Sequence, residues 1–425
     1  MESSRHVSTG VVVAVAVATG ILAGVGAHLL KWLIARISVL FTSGLYVGGA
    51  NWLLLVGPLA GIMLTGIYTR YVVGSGIEHG VERMQANIAL RRYRLPAYLV
   101  YAPLAASAVT LGFGGSAGSE GPIAYAGGAI GSNLATRLHM PPHVVMMMIG
   151  CGAGAGIAGI FKAPIGGALF TVEVLGMTMT SLSVIAVVAA SVAAAMTAYV
   201  LSGNLLDMAF TGGSVHPLAI MPWVVLLGVF CGIYSVYYSA TLRVVRYKVE
   251  CIRNPWIMNL VSGGVLAVMV FLFPALYGEG YAVIGAVIDG NYTSLTDFGL
   301  LQASSDNNVT GLVAVVVGML LCKGAAASLT NSGGGVAGDF APTLFAGCLA
   351  GWLFATCADT LWGIGLPERD FAFIGMAGVM SGAIGAPLMA MFLTAEMSGN
   401  YSMLLPLAVV SVVSWLTVRG LASAR

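Results

Sequence analysis

The chain has 425 residues, of which 58% are hydrophobic and only 8% are charged. Water-soluble domains carry about a quarter charged residues, so this composition excludes a soluble globular protein and predicts an all-α integral membrane protein. The net charge of +2 is too small to indicate a nucleic-acid partner. The six cysteines and six histidines lack metal-ligand spacing, and we expect neither a metal ion nor another cofactor.

Apolar runs long enough to cross the hydrocarbon core of a bilayer, which takes about 20 residues, recur along the chain. They include residues 9–30, 52–69, 183–201, 257–277 and 308–322. Lys31 and Arg36, rather than a cleavage site of small residues, follow the first run, so we interpret it as part of the mature protein. The sequence therefore predicts a multi-pass protein of the cell (inner) membrane.

The charged residues are concentrated in a few connecting segments. Residues 78–94 and 243–253 are basic, whereas residues 278–307 contain acidic side chains and no Lys or Arg. Cytoplasmic loops of membrane proteins carry an excess of Lys and Arg. The two basic segments are therefore predicted to face the cytoplasm and the acidic segment to face outward.

Two sequence patterns occur twice in the chain. Residues 118–127 and 338–347 both fit G-x-x-x-P-x-x-x-A-G, and residues 163–173 and 386–396 both begin with Ala-Pro and end with Glu. The offset is 220 residues for the first pair and 223 for the second. We interpret residues 1–210 and 215–425 as two transmembrane halves. The opposite charges of their matching loops predict inverted halves, with a binding site at their interface.

Four prolines each begin an apolar run directly after a glycine-rich stretch, at positions 122, 164, 342 and 387. Proline suits the first turn of a helix, so the glycine-rich stretches are expected to feed helix N-termini. Unpaired N–H groups and a partial positive charge make such termini anion sites, and the apolar runs contain almost no cations. The pattern favours an anion pathway, although each glycine cluster taken alone is equally consistent with close helix packing.

Five segments together resemble the CLC family of chloride channels and proton-coupled chloride antiporters, over nearly the whole chain. They are GSGI (74–77), GSEGP (118–122), GIFKAPIGGALF (159–170), GDFAP (338–342) and EMSGNY (396–401). The resemblance implies an inverted-repeat bundle of many tilted, partly broken helices in a lipid bilayer. It also implies chloride and protons as the transported ions and a homodimer with one pore in each subunit.

The resemblance also implies an anion site. Ser75 matches the serine whose hydroxyl touches the central anion, and Asp339 and Phe340 match two residues whose backbone N–H groups face the same ion. Gly118, Gly121 and Gly338 lie in the glycine-rich segments beside it. The family usually has an apolar residue at the position of Asp339. We expect this side chain to cap its own helix and point away from the ion.

Glu120 matches the family's gating glutamate, and a carboxylate within a membrane is costly and functional by default. Glu173 and Glu396 occupy equivalent places in the two halves and are expected to accept hydrogen bonds from neighbouring backbone. In several antiporters of the family, the residue that follows the position of Glu173 is a glutamate that delivers protons from the cytoplasm. This chain has Val174 at that position. The sequence therefore does not identify the proton path from the cytoplasm, and Glu173 is one candidate for a residue on it.

These observations favour a transporter that exchanges chloride for protons, with Glu120 as its gate. A passive voltage- or pH-gated chloride channel is the alternative, for two reasons. Val174 stands where several antiporters have a glutamate, and we do not expect the final helix that carries the family's central tyrosine before Arg425. No cytoplasmic regulatory domain is expected. A fluoride/H⁺ antiporter is disfavoured by Ser75. An intramembrane enzyme would need Glu120 and Glu173 in one cavity, and we expect no enzymatic activity.

Overall fold

The computed structural model describes residues 8–43, 46–47, 50–74, 77, 80–203, 220–292 and 309–423. Eight helices precede residue 204: α1 (Thr9–Thr42), α2 (Leu53–Ile67), α3 (Gly80–Ala89), α4 (Ala102–Gly112), α5 (Glu120–Arg137), α6 (Pro142–Phe161), α7 (Pro164–Leu169) and α8 (Ser181–Ser202). Eight more follow residue 219: α9 (Met221–Glu250), α10 (Pro255–Leu272), α11 (Tyr281–Asp289), α12 (Val309–Ser332), α13 (Phe340–Trp362), α14 (Glu368–Ile384), α15 (Pro387–Ser398) and α16 (Leu404–Ser423).

The all-α prediction is confirmed. Two π-helical segments, Tyr68–Val73 and Phe170–Val174, extend α2 and α7. In the described part of the chain, strand pairing is limited to the two-residue strands β1 (Tyr46–Val47) and β2 (Ala50–Asn51) and to one isolated bridge between Gly118 and Gly338.

The chain is a multi-pass membrane protein. Among the described residues, nine helical segments are long and apolar enough to cross a membrane. The predicted apolar runs overlap five of them, α1, α2, α8, α10 and α12, and the run at 257–277 continues past the end of α10 at Leu272. The spans α6 and α13 are almost wholly buried, whereas fewer than half of the residues in α8, α10 and α16 are buried. The centre of the bundle therefore consists of helices that make little contact with the surroundings.

The central helices pack in close pairs, α5 along α6 and α13 along α14. Glycines permit both approaches, because a Cβ at Gly152 would collide with the carbonyl of Gly127, and one at Gly347 with the carbonyl of Gly375. Small residues at such contacts let helix backbones come together within a membrane. Gly127, Gly152, Gly347 and Gly375 therefore serve close helix packing, which was the alternative to an anion pathway for the glycine clusters.

The prolines of the repeated patterns stand where the sequence predicts. Pro164 and Pro387 are the first residues of α7 and α15, and Pro122 and Pro342 lie in the first turns of α5 and α13. The glycine-rich segments before α5 and α13 are non-helical loops buried inside the bundle. Since exposed irregular backbone is not tolerated at membrane depth, these loops mark the interior region that holds the polar groups described next.

Candidate functional site

The loops that precede α5 and α13 are joined by backbone hydrogen bonds. The Gly118 N–H donates to the Gly338 carbonyl at 2.8 Å, and the Gly338 N–H donates back to the Gly118 carbonyl at 2.6 Å. The start of α3 lies against the same place, since a Cβ at Gly80 would stand 3.0 Å from the Gly121 carbonyl oxygen. Three helix N-termini therefore meet around Gly118, Gly121 and Gly338.

This convergence creates a region of positive potential. The first N–H groups of each helix have no partner within that helix, and each terminus carries about half a positive charge. Residues without side chains allow the close approach of the loops: a Cβ at Gly118 would overlap the Glu120 carboxylate, and one at Gly338 would stand 2.7 Å from the Gly121 nitrogen. The arrangement suits a dehydrated anion.

Glu120 is the first residue of α5 and is fully buried at this junction. Its Oε1 accepts a hydrogen bond of 2.6 Å from the Tyr281 hydroxyl. The backbone amides of Glu120 and Ala341 face the carboxylate, but Oε2 has no hydrogen-bond partner among the described residues. The carboxylate thus takes the place that an anion would take between α5 and α13.

A buried lysine lies near this carboxylate. Lys323 is fully buried within α12, its Nζ donates to the Ser116 hydroxyl at 2.9 Å, and it stands 4.7 Å from the centre of the Phe345 ring. It is within electrostatic range of Glu120. The sequence interpretation treated the apolar runs as almost free of cations and missed this one. A single lysine inside an apolar helix was the available signal.

Two cavities approach Glu120 from different elements and share no lining residue. The first, of about 490 Å³, is lined by Lys31, Tyr277, Glu279 and Tyr281 among others and is called the Glu279 cavity here. The second, of about 240 Å³, reaches Gly121 and Gly338 and is bordered by Arg246; it is called the Arg246 cavity. Glu120 is sealed from both.

Glu279 holds the loop before α5 in place from the side of its cavity. Its Oε1 accepts hydrogen bonds from the Ser119 backbone N–H at 3.2 Å and from the Ser119 hydroxyl. Glu279, which lies between α10 and α11, is therefore hydrogen-bonded to the residue that precedes Glu120. Neither Glu279 nor Tyr281 was proposed from the sequence as part of the site.

Asp339 and Phe340 lie at the start of α13 and line the Arg246 cavity. The expectation that Asp339 caps its own helix is wrong: its side chain makes no capping hydrogen bond, and Oδ1 instead accepts one of 2.9 Å from Asn331. The amide of Asn331 is within reach because α12 ends beside this loop. Ser75 lies outside the described residues.

Glu173 and Glu396 make matching contacts with each other's helices. Glu173 accepts from the backbone N–H groups of Leu388 at 3.2 Å and Met389 at 2.7 Å, at the start of α15. Glu396 accepts from those of Ile165 at 2.9 Å and Gly166 at 2.7 Å, at the start of α7. Each carboxylate therefore caps the opposite helix, which is the backbone role predicted for the pair.

Neither Glu120 nor Glu173 lines the Glu279 cavity or the Arg246 cavity. Within the described ranges, no group of three or more His, Cys, Asp or Glu side chains is close enough to hold a metal ion.

Comparison with protein families gives a match to the voltage gated chloride channel family over residues 60–419. Among curated proteins, the chain is 27% identical to a putative chloride channel protein, ClcB-like, of Ralstonia nicotianae, covering 87% of this chain and 83% of the relative. It is 28% identical to the H(+)/Cl(-) exchange transporter ClcA of Vibrio parahaemolyticus, covering 82% of this chain and 72% of the relative.

Solved structures have the same fold. A slow cyanobacterial Cl⁻/H⁺ antiporter aligns with a TM-score of 0.80 at 20% identity, over 96% of this chain and 94% of the antiporter. A CLC-type fluoride/proton antiporter aligns with a TM-score of 0.78 at 20% identity, over 98% of both chains. At this identity the likeness establishes the CLC-type helical architecture, and the predicted fold class is confirmed.

Proposed function

The chain belongs to the voltage gated chloride channel family, and from this premise we propose that it exchanges chloride for protons across the membrane. The observation that carries the proposal is the buried carboxylate of Glu120 at the junction of three helix N-termini. Relatives are named as H(+)/Cl(-) exchange transporters and as chloride channels, and a buried carboxylate that can take up a proton favours exchange over passive conduction. The chain is a transport protein and not an enzyme.

The proposed anion site is made of backbone. The start of α5 at Gly121 and the first turn of α13, with Asp339 and Phe340, supply N–H groups to chloride. Gly118 and Gly338, whose own N–H groups bond to each other's carbonyls, hold these two helix starts together around the ion. Moderate binding of this kind lets an ion enter and also leave, which transport requires. Ser75 is proposed, from the family resemblance, as a hydroxyl donor to the same ion. Asp339 directs its carboxylate to Asn331, which is compatible with a role for its backbone alone.

Glu120 is the proposed gate and proton acceptor. When ionised, its carboxylate is held by the positive ends of α5 and α13 and by the Tyr281 hydroxyl, and it excludes chloride from the junction. A proton removes the charge, so the attraction to the helix ends is lost and the side chain can leave. Chloride then enters the vacated place. One carboxylate therefore links the movement of the two ions.

The proposed direction of access follows from the charged segments. The Arg246 cavity is bordered by Glu82, Gln85 and Arg246, which belong to the two basic segments, so we assign it to the cytoplasmic side. The Glu279 cavity, at the acidic segment, is assigned to the outside. Protons would reach Glu120 from the outside through the Glu279 cavity, where Tyr281 contacts both the cavity and the carboxylate.

The cytoplasmic proton path is proposed to pass Glu173. The following residue, Val174, lines the Arg246 cavity, so Glu173 lies one residue away from it along the chain. Both Glu173 oxygens accept hydrogen bonds from α15. A proton that moves by this path therefore requires at least one of these hydrogen bonds to loosen.

Residues 1–210 and 215–425 are proposed to be inverted halves of one design. The reciprocal capping by Glu173 and Glu396 and the two-way hydrogen bonds between Gly118 and Gly338 are contacts of the kind that a two-fold relation generates. We also propose a homodimer with one pore per subunit. The mass of the protein in detergent, measured by light scattering, tests this; a monomeric mass contradicts it.

Flux measurements in proteoliposomes test the exchange. An imposed chloride gradient is expected to drive protons uphill with the wild-type protein, and Glu120→Gln is expected to keep chloride flux while losing proton coupling. Glu250→Gln, at an exposed glutamate, is the control and should behave as wild type. Wild-type chloride flux without uphill proton movement would identify a channel, and proton pumping by Glu120→Gln would refute the role of Glu120.

A further inference from the structure

Tyr238 on α9 has a buried hydroxyl with no hydrogen-bond partner among the described residues. Its side chain is 1% exposed and lines the Arg246 cavity together with Phe340 and Gly338. Two neighbouring tyrosines on the same helix are different: the Tyr234 hydroxyl donates to the Leu320 carbonyl at 2.9 Å, and that of Tyr237 donates to the Leu321 carbonyl at 2.8 Å. Tyr238 alone of the three is unsatisfied.

An unsatisfied buried hydroxyl destabilises the folded protein, and most buried polar groups find a partner. Two carboxylates and the start of α13 lie near the Tyr238 hydroxyl. Glu120 and the Asp339 carboxylate are within electrostatic range, but Asp339 accepts from Asn331 and Glu120 accepts from Tyr281. The start of α13 beside the ring repels cations and attracts anions. The proton of this hydroxyl therefore lacks an acceptor. The start of α13, which lines the same cavity, favours an anion in that place once the Glu120 carboxylate has been neutralised or has moved away.

We propose that the Tyr238 hydroxyl donates a hydrogen bond to the halide as it passes between the Arg246 cavity and the place held by Glu120. This assignment rests on the proposed function and extends it to a residue of α9. In the present conformation the hydroxyl is closed off from the cavity, so the ring of Tyr238 also forms part of the barrier between the cavity and the junction. Entry of the halide requires the ring to move and brings the hydroxyl its acceptor.

Tyr238→Phe removes one oxygen atom and leaves the ring, and Tyr234→Phe is the matched control on the same helix. Chloride binding to the purified full-length protein is measured by calorimetry, and fluxes are measured in proteoliposomes. Tyr238→Phe is expected to bind chloride about tenfold more weakly, the size of one hydrogen bond to a charged acceptor. Tyr234→Phe is expected to keep the wild-type affinity, because its hydroxyl is bonded to backbone away from the cavity.

Thermal unfolding supplies a second measurement. Without halide, Tyr238→Phe is expected to unfold at the wild-type temperature or above, since an unsatisfied group has been removed, whereas Tyr234→Phe should unfold earlier. Added chloride should stabilise Tyr238→Phe less than wild type.

Equal chloride affinity and equal chloride-dependent stabilisation in Tyr238→Phe and wild type would overturn the assignment and leave water as the acceptor. If that variant matches wild type while Glu120→Gln still loses proton coupling, only the Tyr238 proposal fails. If the wild type neither binds nor moves chloride, the proposed function fails and the Tyr238 proposal fails with it.

Discussion

Tyr281 and Glu120 are joined by a hydrogen bond of 2.6 Å across 161 positions of the sequence. Tyr281 begins α11 and lines the Glu279 cavity, whereas Glu120 begins α5 and lies inside the bundle. The Tyr281 side chain lies at the proposed outer entrance, and the Glu120 carboxylate lies at the junction of helix starts. In the proposed mechanism, this hydrogen bond helps to hold the ionised Glu120 gate in place.

Tyr281→Phe is expected to shift the dependence of chloride flux on pH. A hydrogen bond to a charged group contributes about 1.5–3 kcal/mol, and here it favours the ionised, closed form of Glu120. Without it the carboxylate takes up a proton more readily, so flux should rise at a pH about one to two units higher than in wild type. Flux into proteoliposomes at a series of external pH values measures this.

The control for that experiment is Tyr277→Phe. The Tyr277 hydroxyl lines the same cavity but donates to the Gly112 carbonyl at 2.6 Å, so its loss should leave the pH profile in place. A profile for Tyr281→Phe that coincides with wild type would show that this hydrogen bond does not hold the gate.

Lys323→Met is expected to weaken chloride binding by about tenfold, because it removes a basic side chain within electrostatic range of Glu120 at the junction. The unfolding temperature should fall, because the substitution removes one partner of a buried charge pair, leaves the Glu120 carboxylate uncompensated and takes the hydrogen-bond donor from Ser116. Calorimetric titration with chloride measures the first effect, and a thermal melt measures the second.

Lys323→Arg keeps the charge and is the matched control for the affinity. Retention of wild-type affinity by Lys323→Met would mean that the backbone amides alone determine chloride binding. The lysine would then serve only to fix Ser116 and its loop.

Glu173→Gln and Glu396→Gln form a natural pair, because each carboxylate makes the same two backbone contacts on the opposite helix. Each substitution should lower the free energy of unfolding by about 1–3 kcal/mol, through the loss of charge-assisted hydrogen bonds. Only Glu173→Gln should also reduce proton flux at constant chloride flux. The comparison in proteoliposomes separates the two roles, and equal proton coupling in both variants removes Glu173 from the proton path.

Much of the fold follows from local sequence features. The apolar runs locate membrane spans, because a bilayer sets their length, and Pro122, Pro164, Pro342 and Pro387 locate four helix starts, because proline fits the first turn. The repeated patterns locate the loops around Glu120, and the family resemblance singles out Glu120 itself. These signals are contained within a few neighbouring residues, which is why they can be read without a structure.

The partners of Glu120 are different in kind. Tyr281 and Lys323 belong to elements more than 150 residues away in sequence, and nothing in their immediate neighbourhood indicates which carboxylate they approach. The capping error at Asp339 has the same origin, because Asn331 on another helix offers a better hydrogen bond than the start of α13. Side-chain direction at a junction of several elements depends on their packing.

The reciprocal hydrogen bonds between Gly118 and Gly338 have a consequence for biosynthesis. A ribosome releases Gly118 long before Gly338, so the nascent protein holds a glutamate next to an incomplete loop while the later helices are still being made. Contacts between such distant positions form late in folding. Early in its life the polypeptide therefore needs water, lipid headgroups or the insertion machinery to shelter Glu120, and a prematurely terminated product would lack the surface that completes its pore.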